Sequence, residues 1–176
     1  LLVSNGNQNV AVGGFALDAN TTAANNVAIG YNALTANTTG AQNIAVGQGA
    51  MASNTTGTDN CAYGHAAMGS ATNTGSGRNN AFGYEALQSL TTGTQNQAMG
   101  FQAGANLTTG SYNNIMGAEA MENSTTASNC VAIGHDSLRQ NDGNNNVAIG
   151  FQAMTANTTG SNSTAVGYGA LDAVTT

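Results

Sequence analysis

The chain has 176 residues, of which 40% are hydrophobic but only 5% aromatic and 6% charged, against about 25% charged in ordinary soluble domains. There is no lysine, and two arginines, Arg78 and Arg139, stand against eight acids; the net charge is −6, so no basic patch exists to hold nucleic acid. No apolar run is long enough for a transmembrane helix and no signal peptide is recognisable, so membrane insertion is not expected.

Residues 1–8, opening with Leu1-Leu2-Val3, read as a partial coil that leads into Asn9-Val10-Ala11-Val12-Gly13. From there the chain repeats one unit, written most plainly over residues 26–42. Each copy is anchored on the glycine that closes its apolar run: Gly13, Gly30, Gly47, Gly64, Gly83, Gly100, Gly117, Gly134, Gly150 and Gly167. The spacings are 17, 17, 17, 19, 17, 17, 17, 16 and 17, and so fixed a short period indicates a solenoid with one coil per repeat. The whole chain, 1–176, reads as a single repeat domain.

Each register position has its own chemistry. Ala stands two before the glycine in every copy but one, where Ile115 replaces it. The residue immediately before the glycine is always apolar or aromatic, as in Val12, Ile29, Val46, Met99, Ile133, Ile149 and Val166. Three after the glycine Ala recurs, with Ser137 the exception. One further on stands Leu or Met, including Leu17, Leu34, Leu87, Leu138 and Leu171, with Gly104 breaking the row. Columns that stay apolar in every coil are expected to face a continuous core. A corner follows, Asn-Thr-Thr-Gly from Asn37 to Gly40, from Asn54 to Gly57 and from Asn157 to Gly160; Asn and Gly tolerate the left-handed backbone of a tight corner.

The apolar run is β-branched and three residues long, too short for a helical repeat, so the coil is expected to hold two short strands and two corners around a thin two-sheet core. Stacked strands lie about 4.8 Å apart, which makes ten coils a rod of about 45–50 Å. Asn recurs four before the glycine at Asn9, Asn26, Asn43, Asn60, Asn79, Asn96, Asn113 and Asn146. In register these amides form a candidate hydrogen-bonded ladder, beside the plainer reading that Asn favours corners.

Further along, two extra residues fall within 71–78, where an insertion bulges from a corner and where Arg78 reads as a solvated loop residue. Three before the glycine, Val10, Val27 and Ile44 give way to Cys61, Asn80, Gln97 and Asn114, then Val131, Val147 and Thr164. This second column therefore lies nearer a core edge or an interface of varying polarity. Coil eight has Cys130 where the ladder Asn is usual, and coil nine is one residue short at Asp142-Gly143. The end at Val174-Thr175-Thr176 and the start both lack a polar cap, so a segment of a longer fibrous protein is expected.

No chemistry-bearing constellation emerges. Cys61 and Cys130 are four coils apart, about 19 Å on strand spacing, beyond the ~7 Å that a disulfide spans; each reads as a small buried hydrophobe. His65 and His135 share the register of Tyr31, Tyr84, Phe101, Phe151 and Tyr168, which points to an aromatic-type column; only a three-fold assembly would gather three imidazoles for a metal. The acids do not recur in register, and neither a calcium-roll pattern nor a nucleophile–base pair is present. The Asn-x-Ser/Thr sites at Asn20, Asn37, Asn54, Asn106, Asn123, Asn157 and Asn162 follow from corner chemistry and imply an outer column of Asn and Thr. No catalytic residue, cofactor or metal site is expected, and an enzyme is the least favoured class.

The runs from Asn26 to Leu34 and from Asn146 to Met154, with their Asn-Thr-Thr-Gly corners, resemble the head repeats of trimeric autotransporter adhesins (the YadA-like head). They are more similar still to arrays in phage tail fibres, and the resemblance covers residues 9–171. It implies a left-handed parallel β-roll, three chains side by side, forming a rigid rod on a virion or cell surface. The expected function is a structural segment of a phage tail fibre or spike. As a homotrimer it would work with other virion or surface proteins and contribute to contact with a host-surface glycan or protein receptor. The alternatives are a bacterial adhesin head and an ice-binding solenoid, the latter disfavoured because the Thr pairs sit at corners rather than in strands.

Overall fold

A computed structural model describes residues 6–72 and 77–172. The expected readings at Leu1-Leu2-Val3, at the middle of the insertion (73–76) and at Val174-Thr175-Thr176 lie outside the described residues. Ten strands follow one another: β1 (Val10–Val12), β2 (Val27–Ile29), β3 (Ile44–Val46), β4 (Cys61–Tyr63), β5 (Asn80–Phe82), β6 (Gln97–Met99), β7 (Asn114–Met116), β8 (Val131–Ile133), β9 (Val147–Ile149) and β10 (Thr164–Val166). They form one parallel sheet in chain order, a β-solenoid of about nine turns with ~17 residues per turn and no helix among the described residues. Each coil lies directly on the next, with Val10 on Val27 and Val12 on Ile29. That register survives both irregular spacings: Cys61 pairs with Asn80, and Val131 with Val147.

Each strand ends where the anchor glycine takes a left-handed φ, +136° at Gly30. A Cβ there would collide with the carbonyl of Gly47 in the coil above, so the column admits only glycine. Beyond the glycine the expected second strand does not form. Asn32 and Leu34 both have positive φ (59° and 50°), as do their counterparts Glu85 and Leu87 (53° and 50°). Left-handed residues at alternate positions curl the chain and cannot continue a pleated strand. The second wall is therefore a stack of turns, still bonded coil to coil: Leu34 N–H donates to Ala50 O (3.0 Å) and Gly49 N–H to Tyr31 O (2.9 Å). Left-handed backbone costs an L-residue roughly 1–2 kcal/mol. The stacked inter-coil bonds, and the burial of Leu34, Met51, Met68 and Leu87 at this position, offset it.

The core differs from the expected one at one of its columns. Side chains alternate along a strand, so in a three-residue strand either the middle residue or its two flanks face inward. The middle alanines Ala28, Ala45, Ala62 and Ala81 are fully buried. Hence Val12, Ile29, Met99, Ile149 and Val166, expected in the core, point outward and are 38–67% exposed, while Val46 and Ile133 are only half-buried. Leu17, Leu34, Leu87 and Leu138 are buried as core, but Leu171, in the last described coil with nothing described above it, is exposed. A column constant in apolarity is thus not always an inward column.

The Asn stack closes the core beside the strands. Asn26 Oδ1 accepts the backbone N–H of Asn43 (2.9 Å), and Asn26 Nδ2 donates to Gly40 O (2.9 Å). Asn9, Asn43, Asn60, Asn79 and Asn96 likewise accept the backbone N–H of the next ladder residue, and Asn113 and Asn146 accept those of Cys130 and Ser163. The ladder is mainly side chain to backbone, with amide–amide bonds in its middle, such as Asn113 Nδ2 to Asn96 Oδ1 (3.0 Å). Each buried amide satisfies backbone groups that the short strands leave open.

Candidate functional surface

The outward face of the ten-stranded sheet is the feature with most scope for recognition. Its two columns, the first and third residues of every strand, contain no charged side chain. Val10, Val12, Ile29, Ile44, Tyr63, Phe82, Met99, Met116, Ile149 and Val166 are all well exposed along it. Ten coils at about 4.8 Å by a strip about 13 Å wide give a footprint of roughly 600 Å². The largest apolar patch on an ordinary monomer is about 300–600 Å², so this face lies at or above the top of that range.

The face changes character at β5–β7, where Asn80, Gln97 and Asn114 occupy a column that is otherwise Val or Ile, apart from Cys61 in β4 and Thr164 in β10. Asn80 Nδ2 donates to Gln97 Oε1 (2.8 Å), along the sheet rather than into it. Beside these amides lies a shallow recess of about 240 Å³, lined among others by Phe82, Met99, Met116 and Ile133. Directly behind it the inner columns make an exchange. Ile115 replaces Ala, and Gly104, in the coil below, replaces Leu or Met; a Cβ on Gly104 would stand 2.8 Å from Ile115 Cδ1. The larger residue of one column fills the space left by the smaller residue of the other.

Next to the strands runs the aromatic column. His65, Tyr84 and Phe101 stack with centroids 5.0 and 5.2 Å apart, and His135, Phe151 and Tyr168 at 5.4 Å throughout. Gln48 and Ala118 occupy the same register in coils three and seven. The two histidines thus belong to separate stacks, and among the described residues no group of three or more His, Cys, Asp or Glu is placed to hold a metal ion. The column presents the edges of stacked rings beside the sheet face. Tyr84 is drawn toward its neutral form by its hydrogen bond with Glu85 first, and by that carboxylate's charge.

Sequence reasoning missed one ionic cluster, because its two register positions are charged together only in coils seven and eight. Arg139 Nη2 lies 2.6 Å from Glu122 and 3.0 Å from Glu119, its Nε bonds Glu122 (2.8 Å), and Nη1 lies 3.4 Å from Asp136. The hydrogen bond to Glu122 leads in raising the guanidinium pKa further above its ordinary value. Asp136 Oδ1 gains the charge contact but no hydrogen bond, and its other oxygen lies 3.0 Å from His135 Nδ1. The residues sit two and five after the anchor glycines of coils seven and eight, so the cluster bolts these coils together. Between the same coils, Cys130 interrupts the ladder. Its thiol lies near Ser128 O, Gly143 O and Asn141 Nδ2, and Asn141 Oδ1 accepts from Asn146 and Asn157 instead. Burial pushes the thiols of both Cys130 and Cys61 up, which keeps them mainly protonated at neutral pH.

The corners are not the outer Asn–Thr column expected from sequence. Asn20, Asn37, Asn54 and Asn157 are buried, and Asn37 Nδ2 closes the corner onto Gly40 O (2.9 Å). Leu90 and Leu107 take the same inward place in coils five and six. Four of the seven Asn-x-Ser/Thr asparagines are therefore inaccessible to a glycosylating enzyme, while Asn106, Asn123 and Asn162 remain outside. The first Thr of a pair can bond upward, Thr38 Oγ1 to Thr55 O (3.1 Å), while Thr55 itself and the second residues Thr39, Thr56 and Thr92 are exposed.

Comparison with family models, with curated proteins and with solved structures finds no match to this chain.

Proposed function

We propose that this chain is a structural rod segment of a fibre, of the phage tail-fibre or spike type, that works as a homotrimer and carries host-surface attachment at a distance. The single observation that carries the reading is the uncharged, apolar outer sheet face running past all ten coils. The interior is already closed by alanine, leucine, methionine and the Asn ladder, so the outer valines, isoleucines and aromatics serve no core of their own chain. Covering roughly 600 Å² at ~25 cal/mol/Å² gives on the order of 15 kcal/mol per chain. That is comparable to or above the estimated ~4–15 kcal/mol lost on association. Another copy of this chain fits best, because it presents the same coil spacing and no charge. A rod of about nine stacked turns then acts mechanically: it holds whatever it carries away from the particle surface. The same rod serves a bacterial adhesin head, and the genes beside this one separate the two settings.

The test is the native mass, with and without SDS at room temperature. A species near three times 17.4 kDa that resists SDS is expected. A monomer at all accessible concentrations refutes the trimeric rod and leaves a solitary solenoid whose exposed face binds some other ligand.

A further inference from the structure

A periodic face has a weakness. One chain slid along another by a single coil, about 4.8 Å, keeps nine of ten coil contacts, each of nearly unchanged chemistry. A stack of valines and isoleucines therefore cannot set the axial alignment of two copies. We propose that Asn80, Gln97 and Asn114 are the alignment key: they fix the axial register in which a second copy of this chain docks on the sheet face. The inference rests on the self-association proposed above.

Three observations converge on these residues. They form the only run of amides in an outward column that is otherwise mainly Val, Ile and Cys, and they lie mid-rod, at β5–β7. Asn80 and Gln97 bond only to each other on this face, and the exposed Asn114 amide has no hydrogen-bond partner among the described residues. The recess of about 240 Å³ lies on the same strands, flanked by Phe82, Met99 and Met116, which are bulkier than the valines and isoleucines of other coils. It offers a place for a partner side chain at the height of the amides.

Copies related by a rotation axis along the rod meet at equal heights, so amide levels face amide levels. A slip of one coil sets Asn114 at the level of Val131 and Asn80 at the level of Cys61. Each amide stranded in a dry interface disfavours the slipped form about tenfold, and the two together about a hundredfold. The logic is that of a single buried Asn that sets strand alignment in a coiled coil.

Register is read from distances between labels at different heights. One chain carries a nitroxide at Thr39→Cys and the other a gadolinium tag at Thr126→Cys, five coils apart and in the same corner column. Both chains have Cys61→Val, except in the second design below, and Cys130 is buried and does not react. After co-refolding, the native amides should give one narrow distance distribution. Asn80→Val with Gln97→Val and Asn114→Val should keep the assembly but add shorter and longer distances. A second pair guards against a misfolded triple variant. Moving the amide block one coil down in the gadolinium-tagged chain only (Cys61→Asn with Asn114→Val) should shift the whole distribution by one axial step. Unchanged narrow distributions in both designs overturn the alignment key and leave self-association standing. A parent without inter-chain coupling and with monomeric mass overturns both.

Discussion

Ile115 and Gly104 give the sharpest test of how this interior is packed. Ile115 is 2% exposed, and its Cδ1 occupies the room that a leucine or methionine fills in the other coils. Ile115→Ala alone removes that filling and opposes alanine to glycine, at a cost of about 2–5 kcal/mol. Gly104→Leu alone drives its Cβ to within 2.8 Å of Ile115 Cδ1 and 3.0 Å of Leu87 Cδ2. Overpacking of this kind costs about 1–3 kcal/mol. The backbone is no obstacle, since Gly104 has φ +61° and Leu34, Leu87 and Leu138 sit in the same register at φ 50–51°. The double variant simply writes the ordinary coil, with Ala inside the strand and Leu on the turn. Its stability should return to within about 1 kcal/mol of the parent, so the two changes couple by at least ~2 kcal/mol. Urea unfolding of all four proteins at one fixed concentration, followed by far-UV circular dichroism, supplies the cycle. Additivity within about 0.5 kcal/mol would refute the exchange of volumes.

Other perturbations separate roles that look alike in the sequence. Asn96→Leu strips the acceptor from the Asn113 N–H and a donor from Gly110 O, and chemical denaturation should show a loss of roughly 2–4 kcal/mol. Asn37→Leu, in the corner register where Leu90 and Leu107 already stand, should stay within about 0.5 kcal/mol of the parent, because Asn26 Nδ2 still serves Gly40 O (2.9 Å) and Asn54 Nδ2 still has Gly57 O (3.2 Å); a loss equal to that of Asn96→Leu would contradict this division. Arg139→Met leaves Glu119, Glu122 and Asp136 facing one another, so the melting temperature should fall, and fall less in high salt, where like charges are screened. Burial holds the Cys130 thiol protonated above its ordinary value of 9.0. Between the unfolded and folded values the native state binds more protons, so its contribution is full below about pH 9 and declines as pH rises through the folded value. Cys130→Ser should flatten the alkaline slope of stability against pH, and an unchanged slope would remove the thiol as its source.

How far the fold was legible follows from the repeat. A period of seventeen, an invariant glycine and a β-branched triplet suffice for a parallel solenoid, and the Asn column marked a buried ladder because its spacing matched the strands. What the sequence hid was direction. Val12, Ile29 and Met99 are as constantly apolar as Leu34 and Leu87, but a three-residue strand gives no second alternation by which to tell the outer face from the inner. The turn wall was hidden for a different reason. Leucine and methionine are poor residues for positive φ, so nothing at Leu34 or Met51 announces a left-handed backbone, and only stacking on identical coils holds them there. The outer face was legible as a set of apolar columns, but its exposure was not. The Arg139 cluster was invisible, since Glu85, Asp18 and Asp172 share its register positions singly, and only in coils seven and eight do both positions carry charge, with an arginine among the acids.

The coils of nineteen and sixteen residues pair with their neighbours in the same register as all the rest. Alignment is therefore reset at every strand, and errors of length do not propagate along the molecule. A gene built this way is open to unequal recombination between its own tandem copies. Each event that adds or drops a whole copy yields a foldable product whose reach differs by one increment of about 4.8 Å. The span of such a solenoid is inherited as an integer, adjustable by copy number, while the glycine, alanine and asparagine columns keep their stacking.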